Sequence, residues 1–361
     1  MKRAIALAAR AQGKTSPNPM VGAVLVKGGR IVSEGYHRKA GTPHAEAVAI
    51  DAAGGGAGGA TLYVSLEPCC HKDKRTPPCT QKIISSGIRK VVIAMEDPNP
   101  KVSGKGIEEL RNAGIGVVSE ILKEKAEKLN EYYIKHITTG MPFVVLKVAM
   151  TLDGKIATPH GESKWITGER ARRLVHRLRG EVDGLLTAIG TVKADNPRLT
   201  SRTGRNKSPL RIVIDPDLAI SLDSCVIEPP PDTVVVTRKP EAESGQRSSK
   251  GDKKKILLQR SVQLLEYEGE KVDLPRLMKD LGRRGIMSVL VEGGSSLNSY
   301  CLESGIVDKV MFFIAPKIIG GRESFPAVGG AAFRRLGEAH MIRNMKTRRI
   351  GDDVLIEGYV N

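Results

Sequence analysis

The sequence predicts an α/β protein with two consecutive domains, and three observations support that prediction. The chain has 361 residues, which is long enough for two domains that each bury a core. Strand and helix patterns alternate over residues 1–120, which indicates a three-layer α/β domain. A second alternating set follows a hinge at residues 140–142, so we expect domains over 1–140 and 141–361.

The first half contains a predicted hairpin, because Gly28-Gly29 is a turn signal between two β-branched runs. A helix is expected from the N-terminus to Gly13, where glycine favours helix termination. The expected strands are 21–27, 30–36, 61–67, 91–95 and 115–122, and the other expected helices are 44–53, 80–87, 108–114 and 123–142.

The second half repeats the alternation, and its strand candidates are short apolar runs bounded by turn residues. The expected strands are 143–150, 183–190, 211–215, 233–237, 288–294 and 309–319, and the expected helices are 169–180, 274–285 and 295–305. The polar stretch 238–255 is interpreted as a solvated loop.

Composition limits the classes of function. The net charge of +17 permits nucleic-acid binding, but only 4% of residues are aromatic, so stacking platforms for single strands are scarce. Small phosphate-bearing ligands and solvated charge explain the excess more simply. Apolar runs long enough for a membrane span are missing, and three of five cysteines fall within eleven positions. We therefore expect a cytoplasmic metal enzyme.

Four residues form the most informative pattern. His44, Cys69 and Cys79 offer one imidazole and two thiolates, the three-ligand set that a catalytic Zn²⁺ needs beside an open position for water. Prolines precede His44 and Cys79, which favours a helix start at each. Glu46 lies two residues beyond the histidine, as expected for the general acid/base of a zinc deaminase.

A structural zinc site is the alternative. Such sites usually close with four ligands, and Cys70 or His71 could be the fourth. Glu46 would then be a surface carboxylate, and Cys70 is otherwise a small packing residue. A chain without any metal is the remaining interpretation of the same residues.

At these motifs the chain resembles a known family. The segments TSPNPMVGAVLV (15–26), HAEAVAI (44–50) and EPCCHKDKRTPPC (67–79) resemble the deaminase half of the bifunctional riboflavin-biosynthesis deaminase–reductases, the RibD type. The segments LKVAMTLDGKIA, SKWITG, IGTVKADNPRLTSR and VLVEGG, at 146–157, 163–168, 189–202 and 289–294, resemble the reductase half. The loop between the cysteines is one residue longer than the family pattern, at Asp73-Lys74.

The resemblance implies a cytidine-deaminase-like N-terminal domain, a dihydrofolate-reductase-like C-terminal domain, and Zn²⁺ and NADPH as cofactors. The implied reactions are deamination of 2,5-diamino-6-ribosylamino-4(3H)-pyrimidinone 5′-phosphate and reduction of the ribosyl side chain to ribityl. The implied cofactor-binding residues are Met150, Trp165, Thr191, Asp195, Gly294, Ser295 and Ser296. The implied substrate-binding residues are Asn18, Lys147, Ser163, Thr167, Arg179, Leu199, Arg202 and Glu292.

Taken singly, several of these residues have plainer interpretations. Asn18 between two prolines is equally a turn residue, and the only tryptophan, Trp165, is more simply a core residue. The Gly-Gly turn before Ser295 either reverses the chain or presents free N–H groups to a phosphate. Four cations are candidates for phosphate binding or for solvated charge: Lys147, Arg179, Arg202 and Arg211.

Three rival functions remain open at this point. A nucleic-acid base deaminase would use the same zinc motif and the positive charge. A non-catalytic zinc-stabilised binding protein would not need Glu46, and a third possibility is a chain in which one half alone works. The favoured partners are a small-molecule phosphoribosyl pyrimidine and further copies of the chain in a homo-oligomer, without nucleic acid or membrane.

Overall fold

The computed structural model describes residues 1–71, 77–203, 208–239, 249–331 and 335–360. The chain forms two compact units, Met1–Met141 and Pro142–Asn361, and each has its own sheet. Both combine helices with a mixed sheet, which confirms the predicted α/β class. No helix in the described ranges is long and apolar enough to cross a bilayer. The longer loop expected at Asp73-Lys74 lies outside the described residues.

The N-terminal unit has a five-stranded sheet in the order β2-β1-β3-β4-β5. Its strands are β1 (Gly22–Lys27), β2 (Arg30–Tyr36), β3 (Thr61–Val64), β4 (Lys90–Ile93) and β5 (Gly116–Val118). Its helices are α1 (Lys2–Ala8), α2 (Ala45–Ala53), α3 (Cys79–Ser85), α4 (Lys105–Asn112), α5 (Lys123–Leu129) and α6 (Glu131–Thr139). β1 pairs antiparallel with β2 and β3, whereas β3, β4 and β5 run parallel.

The packing of α2 on this sheet depends on Gly35 in β2. A Cβ atom at Gly35 would lie 2.4 Å from the carbonyl oxygen of Ala45, closer than any real side-chain contact. Glycine therefore lets the first turn of α2 lie directly on the sheet. Ala45, Ala49 and Ile50 on the inner face of this helix are buried in the apolar core.

The C-terminal unit has a nine-stranded sheet in the order β11-β10-β9-β8-β12-β6-β13-β16-β15. These strands are β6 (Phe143–Thr151), β8 (Gly184–Ala188), β9 (Leu210–Ile214), β10 (Thr233–Arg238), β11 (Gln263–Tyr267), β12 (Ser288–Val291), β13 (Lys309–Ala315), β15 (Ile342–Ile350) and β16 (Asp353–Val360). A separate pair joins β7 (Lys155–Ala157) to β14 (Phe325–Pro326). The helices are α7 (Glu169–Glu181), α8 (Ile189–Asp195), α9 (Ser249–Gln259), α10 (Leu274–Arg283) and α11 (Ser295–Glu303).

Parallel pairing brings the carboxyl ends of three strands together. β12 pairs in parallel with β6 on one side and with β8 on the other. The connections that leave β8 and β12 lead directly into α8 and α11. In open α/β sheets, ligands bind at the carboxyl ends of parallel strands, so this edge is where a site is expected.

Several predicted elements differ from the observed ones. The stretch 123–142 forms two helices, because Asn130 interrupts it. The side-chain amide of Asn130 accepts a hydrogen bond from the backbone N–H of Met20 and donates one to the backbone carbonyl of Met20. The expected strand 183–190 ends at Ala188, where α8 begins. Within the expected loop 238–255, α9 begins at Ser249, and residues 240–248 lie outside the described ranges.

The antiparallel hairpin of β15 and β16 at the C-terminus was not predicted. β15 is one of the two edge strands of the nine-stranded sheet, and its seven central residues are all exposed. Strand prediction relies on alternation of apolar and polar residues, and a strand exposed on both faces has no such alternation.

Arg211 in β9 is a buried structural residue, so its interpretation as a phosphate ligand or a solvated charge was wrong. It is 1% exposed. Its guanidinium donates to the backbone carbonyls of Cys225 and Glu228, at 3.4 and 2.6 Å, and also to that of Pro231. Burial lowers its pKa to about 10. Arg211 thus fixes the connection between β9 and β10.

Replacing Arg211 by methionine should destabilise the C-terminal unit by about 2–4 kcal/mol, because buried carbonyls lose their donors. Thermal unfolding followed by circular dichroism measures the effect. The control is Arg322→Met, which removes an equal charge at an exposed position and should change stability by about 0.5 kcal/mol or less. Equal melting temperatures for the two variants would show that Arg211 does not hold this connection.

Candidate functional site

The N-terminal unit brings His44, Cys69 and Cys79 together. His44 Nδ1 lies 3.6 Å from Cys69 Sγ and 3.3 Å from Cys79 Sγ. Within the described parts of the chain, this is the one group whose donor atoms could hold a metal, and all lie within 4.8 Å of one another. Cys70 is not in this group, since its thiol faces the carbonyl of Lys101 at 4.0 Å.

Local structure explains how the three donors converge. His44 is the N-cap of α2, and Cys79 is the first residue of α3, directly after Pro78. The Cys69 carbonyl accepts a hydrogen bond from Thr80 N at 3.3 Å, which ties the two cysteine segments together. Both cysteines are buried and pack against Val102.

The donor set fits Zn²⁺. Zinc bonds of about 2.1 Å to nitrogen and 2.3 Å to sulfur at tetrahedral angles place these atoms about 3.6 Å apart. The observed separations of 3.6 and 3.3 Å match that spacing. Three ligands leave one coordination position open, which is typical of catalytic rather than structural zinc.

Glu46 is buried beside the thiols, with 3% exposure, in the first turn of α2. Burial and then the neighbouring Cys69 raise the pKa of its carboxyl group, and its carboxylate hydrogen-bonds to Cys79. A buried carboxyl group beside the thiols is placed to take up and release a proton. Glu46 is thus not the surface carboxylate of the alternative interpretation.

His37, a residue that sequence analysis missed, connects Asn18 to the same cluster. Asn18 Nδ2 lies 3.1 Å from His37 Nε2, and His37 Nδ1 lies 3.2 Å from the carbonyl of Pro43. The carbonyl can only accept, so Nδ1 carries the proton and Nε2 accepts from Asn18. Burial lowers the pKa of His37, which favours this neutral form. The rings of His37 and His44 are 5.4 Å apart.

Glu67 is a second residue that sequence analysis missed. Its buried carboxylate accepts three backbone hydrogen bonds, from Asp97, Gly104 and Ile107, at 3.0–3.1 Å. It therefore fixes the segment that presents Val102 to the two cysteines. Its place two residues before Cys69 is the only sequence signal for it.

In the C-terminal unit, Glu292 lies where β12 ends and pairs with two cations. Lys147 Nζ on β6 lies 2.9 Å from Glu292 Oε2. Arg179 on α7 donates through Nε and Nη2 to the two carboxylate oxygens, at 2.6 and 3.0 Å. Burial opposes the charge of Glu292, but Arg179 and Lys147 outweigh it and hold its pKa well below its usual range. These three predicted site residues form one buried ionic cluster.

The surroundings of Arg179 include His176, which sequence analysis also missed. His176 Nδ1 and Arg179 Nη1 both donate to the carbonyl of Thr200, at 3.2 and 3.3 Å. Burial and then the charges of Arg179 and Arg202 lower the pKa of His176. Arg202 itself is exposed, whereas the side chain of Leu199 lies in an apolar core cluster. A ligand can therefore contact Leu199 only through its backbone.

Four of the predicted cofactor residues, Gly294, Ser295, Ser296 and Thr191, lie at or near the start of α11, and a fifth, Met150, lies in β6. Gly294 is the extended N-cap and offers no capping side chain, so the first N–H groups of Ser295 and Ser296 are available to an anion. A Cβ at Gly294 would lie 3.8 Å from Thr191 Oγ1 in the first turn of α8. Met150 lies partly buried near the end of β6.

The segment 163–167 contains three predicted residues. Ser163 Oγ lies 3.3 Å from Asp195 Oδ1, and Thr167 is buried. Trp165 is 63% exposed, so its interpretation as a core residue was wrong. The guanidinium of Arg172 on α7 lies 4.6 Å from the centre of its ring.

Comparisons with known proteins match each unit of the chain to a known family. Residues 142–356 match the RibD C-terminal domain family, and residues 1–95 match the cytidine and deoxycytidylate deaminase zinc-binding region. The chain is 44% identical to the riboflavin biosynthesis protein RibD of Actinobacillus pleuropneumoniae, over 99% of this chain and 93% of the relative. It is 45% identical to the RibD protein of Aquifex aeolicus, over 99% of this chain and 96% of the relative.

Two solved structures resemble the whole chain. Acinetobacter baumannii RibD, form 1, has a TM-score of 0.88 at 36% identity, covering 100% of this chain and 97% of its own. A diaminohydroxyphosphoribosylaminopyrimidine deaminase/5-amino-6-(5-phosphoribosylamino)uracil reductase from Thermotoga maritima has a TM-score of 0.86 at 39% identity, with the same coverage. The resemblance stated from the motifs is confirmed. The chain belongs to the RibD family, the bifunctional deaminase–reductases of riboflavin biosynthesis.

Proposed function

We propose that the chain performs two consecutive reactions on one phosphoribosylated pyrimidine, with the deaminase in residues 1–140 and the reductase in 141–361. The substrate of the first reaction is 2,5-diamino-6-ribosylamino-4(3H)-pyrimidinone 5′-phosphate. The second reduces the ribosyl side chain of the product to ribityl with NADPH. The observation that carries the deaminase assignment is the approach of His44 Nδ1 to both thiols beside the buried Glu46.

In the deaminase, His44, Cys69 and Cys79 would hold Zn²⁺. When bound, zinc supplies Lewis-acid chemistry that activates water at neutral pH. Glu46, which is buried beside these three residues, would accept a proton from the attacking water and deliver it to the leaving amine. His37 fixes the side-chain amide of Asn18, which leaves the Asn18 carbonyl oxygen able to accept from a ring N–H of the pyrimidine.

In the reductase, NADPH supplies the hydride, and the chain orients the two reactants. The N–H groups at the start of α11, with Thr191 nearby, would bind a phosphate of the cofactor. Met150, Trp165 and Asp195 would contact other parts of the cofactor. Lys147 and Arg179, held by Glu292, contact the substrate together with Ser163, Thr167, Leu199 and Arg202.

The remaining partners follow from the same chemistry. Substrate and cofactor both bear phosphates, which accounts for a strongly basic chain without nucleic acid. No disulfide joins the described cysteines, which suits a reducing compartment such as the cytoplasm. We also propose that copies of the chain form a homo-oligomer.

Glu46→Gln should reduce ammonia release by about 10²–10⁴-fold, because the general acid/base is lost. Bound zinc should stay at the wild-type level, and NADPH oxidation with the deaminated substrate should be unchanged. The matched control is Glu108→Gln, which alters an exposed carboxylate of the same unit. Wild-type ammonia release in Glu46→Gln would remove Glu46 from the mechanism.

Glu292→Gln should impair the reductase alone. Removing the shared anion leaves Lys147 and Arg179 as uncompensated buried cations, so we expect kcat/KM for NADPH oxidation to fall about 10²-fold or more. The exposed Glu270→Gln is the charge-matched control. Ammonia release from the same preparation reports whether the N-terminal unit is intact. An unchanged kcat/KM would contradict the assignment of this cluster to the site.

The direct test of both steps uses the zinc-loaded wild-type chain and the diaminopyrimidine phosphate. Ammonia should appear without NADPH, and NADPH should be oxidised only after ammonia has formed. Oxidation of NADPH without ammonia release would reverse the proposed order. Tight, salt-sensitive binding of RNA together with ammonia release from it would favour a nucleic-acid deaminase.

A further inference from the structure

Trp165 is an exposed aromatic residue in a segment that is otherwise tied to the fold. It is the only tryptophan of the chain, and 63% of it is exposed. A large aromatic side chain that is left in solvent on a firmly held segment provides surface for a ligand ring. The orientation of its indole ring depends on the side chains that contact it.

Arg172 contacts both the ring of Trp165 and the backbone beside it. The guanidinium carbon lies 4.6 Å from the ring centre, within the range of a cation–π contact. Nη1 of the same guanidinium donates to the carbonyl of Thr167 at 2.6 Å. Because Arg172 lies on α7, one planar group on a rigid helix restrains the ring and the chain that follows it.

Three other contacts anchor this segment, one through a main-chain carbonyl and two through side chains. Lys317 Nζ donates to the carbonyl of Trp165 at 2.6 Å. Lys164 Nζ lies 3.4 Å from Asp195 Oδ1, and Ser163 Oγ lies 3.3 Å from the same oxygen. These contacts anchor the segment around Trp165, whereas the contact of Arg172 is with the indole ring itself.

We propose that Arg172 is a positioning residue for NADPH binding, which holds the Trp165 ring so that its other face is presented to an aromatic ring of the cofactor. This inference rests on the proposed cofactor role of Trp165. A ring that is already oriented loses less freedom when the ligand binds, so the restraint increases affinity. The effect should therefore appear mainly in the KM for NADPH and little in kcat.

The restraint can be measured without any ligand, because the tryptophan emission of the full-length chain comes from Trp165 alone. Arg172→Met should increase quenching by acrylamide about twofold and lower the fluorescence anisotropy, since an exposed cation–π contact is weak but directional. Arg173→Met is the matched control. It removes the same charge one residue away, where the arginine pairs with Glu169.

The functional consequence is measured with NADPH on the same proteins. Energy transfer from Trp165 to NADPH should report binding in the wild type, and the KM for NADPH should rise about fivefold in Arg172→Met with kcat within twofold. Arg172→Lys keeps the charge but not the planar group, so it should restore only part of the affinity. A wild-type melting curve by circular dichroism shows that the C-terminal unit of each variant is folded, and unchanged ammonia release shows that the N-terminal unit is intact.

The outcomes separate this inference from the function on which it rests. Equal quenching, anisotropy and KM in Arg172→Met and the wild type would overturn the positioning role. A wild-type chain that oxidises NADPH without energy transfer from Trp165 would overturn the cofactor role of the tryptophan, and the inference with it. A wild type that does not oxidise NADPH at all contradicts the proposed function, while acrylamide quenching still decides whether Arg172 restrains the ring.

Discussion

The charge of a buried carboxylate must be stabilised by hydrogen bonds or by opposite charges. In this molecule the neighbours of each buried carboxylate determine its role. Glu67 accepts three backbone N–H groups and fixes a loop. Glu292 faces two cations, Arg179 and Lys147, and stays charged while it holds them in place. Glu46 has thiol neighbours and a raised pKa. Of the three, Glu46 is the carboxylate that is suited to transfer a proton.

The metal site was largely predictable from the sequence, because zinc chemistry restricts the ligands to a few residue types at recognisable helix starts. His44, Cys69 and Cys79 were expected to converge, and their donor atoms do. The residues behind them were not predictable. His37 hydrogen-bonds to two residues at separate places in the sequence. Its role depends on which ring nitrogen carries the proton, and the spacing of residues in the sequence does not indicate this. Only the folded chain brings such partners together.

The C-terminal unit was predicted less fully, and burial is the reason. The residue type predicts only the average exposure of a side chain, and two residues here depart from it. Arg211 is buried among carbonyls although arginine is usually exposed, and Trp165 is exposed although tryptophan is usually buried. The parallel strands other than β11 were found because they are short apolar runs, with boundaries shifted by a few residues. α9 and β15 are rich in charge and lack the apolar period that prediction depends on. The parallel order of β6, β8 and β12, which assembles the site, follows from long-range pairing alone.

The edge strand β15 affects how copies of the chain can associate. An edge strand displays a row of backbone donors and acceptors on which another chain can add as a further strand. Four of the exposed residues of β15 are Arg343, Lys346, Arg348 and Arg349. Two such edges brought side by side would place like charges against each other, so sheet extension by a second copy is electrostatically disfavoured. Salt weakens this repulsion by screening, which makes high ionic strength the condition under which edge-to-edge aggregation becomes easiest.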